Sequence, residues 1–366
     1  MRKHYIDNIR WMIQVLVVIY HLFYIYGAKH YPGTLGMITS TPFIPGEIYQ
    51  YSVYPWFMVA LFIVAGISSK LYLDNHTSKE FIKSRTTRLL VPSTIGLLVF
   101  GWVQGCINMQ LSGADMDTST VPAPILYLIR CLSGTGVLWF LQVLWVLSLI
   151  LIPIRALEKG RLRKLGGKTN IIVLIALALP VWGAAQILNT PMIVVYRFGL
   201  YGIAFFLGYF IFSHDEIIDK LKRFWWLFTA LGVASVVTFV VLHFGEEYPD
   251  APVNRTWSFC FCSYFMSVAV LALGAKFLDF RNGFTAWMGK RSFGLYVFHY
   301  LGISAVALFI ASKGILPAWL IYIISTVSGF GGALLINEIF SRIPFIRWAV
   351  LGIKKNRKKE AANVQG

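Results

Sequence analysis

The chain alternates between long apolar runs and short charged stretches. A bilayer core of roughly 30 Å needs about 20 apolar residues, each rising about 1.5 Å along a helix. Ten runs approach that length: approximately 11–27, 52–72, 89–108, 136–154, 171–187, 197–213, 225–243, 257–275, 292–312 and 316–340. Lipid supplies no water to satisfy backbone groups, so each run is expected to be helical. The pattern predicts an all-α, polytopic membrane protein of about ten transmembrane helices. The third run, the fifth and the crowded stretch 171–213 are the least clearly separated. Run 11–27 has the basic start of a signal peptide. It also holds Gln14, His21 and three tyrosines, and ends in IYGAKHYPG without a small-residue cleavage site, so it reads as a retained helix. The longest loops, about 28–51 and 109–135, carry Pro32, Pro42, Pro45, Pro122 and Pro124 and suit the cover of an external cleft.

Composition points the same way. Of 366 residues 57% are hydrophobic and 13% charged, too few charges to cover a soluble surface. The same figures exclude a disordered chain, a collagen or a disulfide scaffold. The net charge of +17 invites a nucleic-acid reading, and its distribution removes it. With the N-terminus inside and ten spans, the inner segments hold 28 Lys and Arg and the outer loops 5. That bias places both termini in the cytoplasm. The basic charge then orients the chain and attracts anionic inner-leaflet lipid; no nucleic-acid partner is expected. Residues 1–353 form the transmembrane domain and 354–366 a basic cytoplasmic tail, with no soluble appendage expected. Four cysteines make no framework. Cys106 and Cys131 flank one outer loop, which leaves a disulfide open, although buried free thiols are the simpler reading.

Polar groups in hydrocarbon are costly and need a reason. On the first helix, Arg10 and His21 are eleven residues apart, and eleven steps of about 100° return to nearly the same face. Asp7, Gln14 and Tyr24 join them by three- and four-residue steps, giving one polar stripe. Arg10 at the inner interface puts His21 about 16 Å deeper, near mid-membrane and beyond direct contact. A neutral imidazole there suits general base work; a histidine bonded to a neighbouring helix is the plainer alternative. Lys79, Lys83, Arg85 and Arg88 precede the third helix, and Pro92 is expected to break its first turns. They read as ordinary positive-inside charge or as a phosphate clamp. Ser292, Tyr296, His299 and Ile303 form a second stripe, and Gln142 is a candidate buried amide. Glu338 and Arg342 read as a neutralising i,i+4 pair. No Walker loop, GxGxxG, HExxH or CxxC pair is present, and no metal site is suggested.

The segments YIDNIRWMIQVLVVIYH, WFMVALFIVAGISSKLYL, EFIKSRTTRLLVP, LWFLQVLWVLSL, FFLGYFIF, RSFGLYVFHYL and NEIFSRIPFIRWAVLG occur in the order seen in acyltransferase family 3 integral-membrane proteins. That family includes glycan O-acetyltransferases and a periplasmic glucan succinyltransferase, and the resemblance covers nearly the whole chain. Arg-x10-His, Arg-x-x-Arg-Leu-x-x-Pro and LWFL carry it. The resemblance implies a bacterial plasma membrane location and no bound cofactor. It implies transfer of an acetyl or succinyl group from cytosolic acyl-CoA, as co-substrate, to a hydroxyl of an extracytoplasmic glycan. His21 matches the family's essential histidine and Arg10 its arginine partner; Arg85 and Arg88 match the basic pair. Lys83, Arg85 and Arg88 would meet donor phosphates. Tyr24, Gln142 and His299 would serve oxyanion or acceptor contacts. His21 would act as base or be transiently acylated. Many members have a histidine just before LWFL where this chain has Val137. A homodimer stays open. The rival reading is a multi-span, proton-coupled transporter, against which stand the missing inverted repeat and the scarcity of acids within spans.

Overall fold

The computed structural model describes residues 3–27, 43–112, 120–190 and 195–354. Within these residues the chain is helical apart from turns, loops and one isolated antiparallel bridge, Asn189 to Arg197. Three long helices come first: α1 (His4–Ile25), α2 (Ile44–Leu73) and α3 (Ser78–Leu111). The short α4 (Ala123–Ser133) leads to α5 (Gly136–Glu158). Then α6 (Arg161–Gly167) and α7 (Ile171–Ala184) meet at a 112° bend, and α8 (Phe198–Phe210) follows. The charged α9 (Asp215–Arg223) precedes α10 (Trp225–His243), α11 (Trp257–Phe277), α12 (Gly283–Lys313) and α13 (Ala318–Arg342), and α14 (Pro344–Leu351) follows them.

Eight of these helices are long and apolar enough to cross a membrane, or nine if α6 and α7 form one broken span. The chain is therefore the polytopic all-α protein that its apolar runs predict, with a different count. The two runs that fall short are 171–187 and 197–213. Asn170 Oδ1 accepts the Val173 N–H at 2.9 Å and starts α7 in a new direction after Gly166 and Gly167. The 13 residues of α8 rise about 20 Å, less than the hydrocarbon thickness.

Pro92 does not break α3, contrary to expectation. The turn before it, Thr86–Leu90, is π-helical, and the Val91 N–H reaches back five residues to the Thr86 carbonyl. The wider turn absorbs the proline, whose ring would otherwise press on the preceding turn. A second π segment, Leu97–Gly101, follows in the same helix. Cys106 and Cys131 are free thiols, so the disulfide left open by their spacing is not formed. The basic tail from residue 355 onward lies outside the described residues.

The chain divides into two compact units. Of the described residues, one takes those up to Phe81 and Val146–Ser292; the other takes those of Ile82–Trp145 and from Phe293 on. In the first, α2 and α11 are the most deeply buried helices. Ser263 and Ser267 of α11 donate to the carbonyls of Pro55 and Trp56 at 2.7 and 3.1 Å, tying α11 to α2. On α2's other side α8 approaches backbone to backbone. A Cβ on Gly66 would lie 2.0 Å from the Phe205 carbonyl oxygen, and one on Gly208 2.1 Å from that of Ile63. In the second unit α4 packs on α3 in the same manner, with Gly105 against the Arg130 carbonyl.

Candidate functional site

The residues singled out from the sequence fall into both units: Arg10, His21 and Tyr24 in the first, Lys83, Arg85, Arg88, Gln142 and His299 in the second.

The polar stripe of α1 forms because the apolar positions around it, Ile6, Ile9, Ile13, Val17 and Val18, are buried against neighbours. Arg10 is half-buried. Its Nη1 donates to Asp7 Oδ1 at 2.9 Å, and its Nη2 donates to Ser68 Oγ on α2. Two acceptors on two helices fix the guanidinium, as its planar fork of donors allows. Gln14 lies one turn further along, and its Oε1 is buried without a hydrogen-bond partner among the described residues. Beyond it, His21 Nδ1 lies 2.9 Å from the Val17 carbonyl oxygen. A carbonyl can only accept, so Nδ1 carries the proton and Nε2 the basic lone pair of the neutral ring. The imidazole meets Tyr20 edge-on at 5.2 Å and Tyr24 at 6.1 Å between ring centroids. Arg10 thus contacts Asp7 and Ser68, and His21 contacts Val17 and the tyrosines, as the separation along the helix requires.

In the second unit, Lys83 and Arg88 are exposed and Arg85 is half-buried, so the start of α3 presents cations outward. Gln142 of α5 donates from Nε2 to the Ser93 carbonyl of α3 at 3.1 Å. His299 of α12 is fully buried; its Nδ1 lies 2.8 Å from the Tyr296 and 3.1 Å from the Leu295 carbonyl oxygens, which again leaves Nε2 basic. Tyr296 donates its hydroxyl proton to the Val137 carbonyl. Val137 is buried, and its backbone is an anchor for α12. It also borders a cavity of about 30 Å³ whose polar wall includes Gln104 and Thr135. That volume holds a water or two, not a substrate. Glu338 and Arg342 pair at 3.0 Å, largely exposed.

Two arrangements in the first unit escape a reading of the sequence. Ser258 Oγ and Glu246 Oε2 each lie 2.8 Å from a ring nitrogen of His243, the order of a nucleophile triad. Ser258 is 2% exposed and also contacts the Thr256 hydroxyl, whose Oγ1 caps α11. The trio staples the α10–α11 connection. The second is Arg197, the first residue of the apolar run 197–213. Its residue is 5% exposed. Nη2 donates to Tyr201 Oη at 2.8 Å and to Tyr54 Oη at 3.3 Å; among the described residues Nε and Nη1 have no partner. Its guanidinium carbon lies 5.4, 5.3 and 5.2 Å from the rings of Tyr54, Tyr201 and Phe259. Burying an isolated charge costs several kcal/mol, and a desolvated cation–π contact returns about 2 kcal/mol. A lone arginine between two apolar runs gives no sign of this, because its cage comes from α2, α8 and α11.

Long apolar helices with histidine, arginine and amide groups held inside them define a multi-span membrane protein with a chemical task. The chain matches the model of the acyltransferase domain over residues 3–338 and belongs to acyltransferase family 3, so it is a membrane acyltransferase. It is 20% identical to glucans biosynthesis protein C of Shigella boydii serotype 4 (strain Sb227), over 99% of this chain and 98% of that protein. The same figures hold for the proteins of that name from Shigella dysenteriae serotype 1 (strain Sd197) and Escherichia coli O6:K15:H31. No solved structure matches. Membership of the family sets the transporter reading aside.

Proposed function

We propose that the protein moves an acyl group from cytosolic acyl-CoA to a hydroxyl of an extracytoplasmic glycan, with His21 as general base. The tautomer of His21 carries the reading: with Nδ1–H given to the Val17 carbonyl, Nε2 is the atom able to take a proton. The acceptor hydroxyl loses its proton to Nε2 as its oxygen attacks the thioester carbonyl. The carbon–sulfur bond then breaks, and the departing thiolate takes the proton from the imidazolium. Free CoA thiol and an ester result, and His21 returns to its neutral form. Arg10, held by Asp7 and Ser68, is assigned to the donor's charged part. Lys83, Arg85 and Arg88 are assigned to its phosphates. Tyr24, Gln142 and His299 are assigned to acceptor or oxyanion contacts. The name of the glucan-biosynthesis relatives supports a glucan as the acceptor class. The bacterial plasma membrane, with both termini cytoplasmic, is the location that fits this direction of transfer.

The test is thiol release from acetyl-CoA and succinyl-CoA by purified protein in detergent, with a crude cell-envelope extract as acceptor. Wild type is expected to release thiol faster with acceptor present, and His21→Ala to lose at least a hundredfold of that rate. A folded His21→Ala protein with full activity would refute the assignment.

A further inference from the structure

Among the described residues Arg197 is a buried cation with no carboxylate bonded to it. Among the described residues the groups acting on it electrostatically are the Tyr201 and Tyr54 hydroxyls and the Cys260 thiol, none of them a carboxylate. Asp250 lies within electrostatic reach of Tyr54, but it is exposed and its Oδ1 accepts the Ala251 N–H. Arg197 is also the N-cap of α8, a helix with no acidic residue in its first turn. A cation there faces the positive end of the helix dipole, the arrangement that repels it and attracts an anion. Three aromatic rings and two hydroxyls hold the guanidinium in place, yet among the described residues Nε and Nη1 have no acceptor in a closed environment. An unsatisfied buried donor set of this kind calls for an absent partner.

We infer that Arg197, caged by Tyr54, Tyr201 and Phe259, is the binding site for a carboxylate on a substrate. One positive charge matches one negative charge, which favours a monoanionic carboxylate over a phosphate dianion. The aromatic walls suit a carboxylate borne on a carbon stem. The site also connects to the first-unit histidine through rings in contact: Tyr54 stacks on Tyr20 at 5.7 Å, and Tyr20 meets His21 at 5.2 Å. Two sources share this chemistry. The carboxylate belongs either to the acyl group, as in the half-thioester of a dicarboxylic acid, or to an acidic sugar of the acceptor. The kinetic arm of the test rests on the acyl-transfer reading; the binding arm does not.

Wild type, Arg197→Gln and the charge-retaining Arg197→Lys are purified in detergent. Thiol release is followed for acetyl-CoA and succinyl-CoA, each with a neutral glucan and with a uronate-bearing oligosaccharide. A donor-borne carboxylate predicts that Arg197→Gln loses about ten- to a hundredfold of kcat/KM for succinyl-CoA and keeps that for acetyl-CoA within about twofold. An acceptor-borne one predicts the same loss confined to the uronate acceptor, with either donor. An equal loss for every pair, or no loss, overturns the inference. In parallel, Tm is measured with succinate, with galacturonate and with neutral succinamide. Wild type is expected to gain stability with one of the two carboxylates and not with succinamide, Arg197→Gln to lose that gain and Arg197→Lys to keep part of it; should the glutamine variant not fold, the wild-type contrast between carboxylate and succinamide decides. A wild type stabilised by a carboxylate that releases no thiol from either donor refutes acyl transfer and leaves the site standing. A wild type indifferent to both carboxylates and to acceptor charge overturns the site.

Discussion

Arg10 separates a structural from a functional role by experiment. Its contacts with Asp7 and Ser68 are only partly buried, with both charged side chains about one third exposed. Their loss therefore costs little stability, about 1 kcal/mol or less. Arg10→Ala is expected to leave Tm nearly unchanged while donor-dependent thiol release falls tenfold or more; a large drop in Tm with activity per folded molecule intact would assign Arg10 to the fold alone. The stripe that holds Arg10, Gln14 and His21 was legible because it depends on helical spacing within one segment. Arg197 was not, since its neighbours Tyr54 and Phe259 come from helices far away in sequence. Nor was the tautomer of His21, which is set by a backbone carbonyl and leaves no mark in the residue pattern.

At the scale of helices, two contacts make distinct claims. The α2–α8 crossing leaves no room for a side chain at Gly66 or Gly208, and the atoms in the way are backbone. Gly208→Ala is expected to destabilise the protein by about 1–3 kcal/mol, since the helices must separate; thermal unfolding in detergent reads it, and an unchanged Tm would show that they part freely. The start of α3 is a reciprocal cap. Glu80 Oε2 accepts the Thr77 N–H at 2.8 Å and the Thr77 hydroxyl at 2.9 Å, and Thr77 Oγ1 accepts the Glu80 N–H at 3.3 Å. These bonds to Thr77 hold the Glu80 carboxyl below its usual range. A depressed folded pKa means the cap is complete above the usual pKa of about 4.5 and lost as pH falls through the lower folded value. Thr77→Ala is expected to lower the amide protection factors across Ser78–Lys83 at neutral pH, toward those wild type shows in acid, read by hydrogen exchange. The existence of α3 follows from its apolar run. Its unbroken passage through Pro92 does not, because the compensating π turn is a backbone adjustment that residue identity does not announce.

For the whole molecule, the predicted spans and the observed helices agree in class and differ where the chain bends. Hydropathy counts residues and is blind to direction, so a run turned by Asn170 and one only 13 residues long look like complete spans. The charge distribution of the sequence still predicts that Lys79 and Lys159 face the cytoplasm and that Glu247 and Lys313 face the other side. Single cysteines at these four positions, in a protein freed of its own four, are expected to react with a membrane-impermeant thiol reagent in intact cells only at the last two. Labelling at Lys159 from outside would reverse the orientation, and with it the side assigned to the donor.

The π turns of α3 have a further consequence, best seen as a matter of phase. A turn closed over five residues holds about one residue more than a regular one, and one residue is about 100° of rotation. Two such turns, at Thr86–Leu90 and Leu97–Gly101, reset the angular register of the helix twice between Arg85 and Gln104. The faces that a regular wheel drawn through this segment would assign are therefore wrong beyond the first reset. Gln104, which donates to Ser304 at 2.9 Å, and Asn108, which donates to the Ser133 carbonyl at 2.8 Å, owe their aim to those two extra residues.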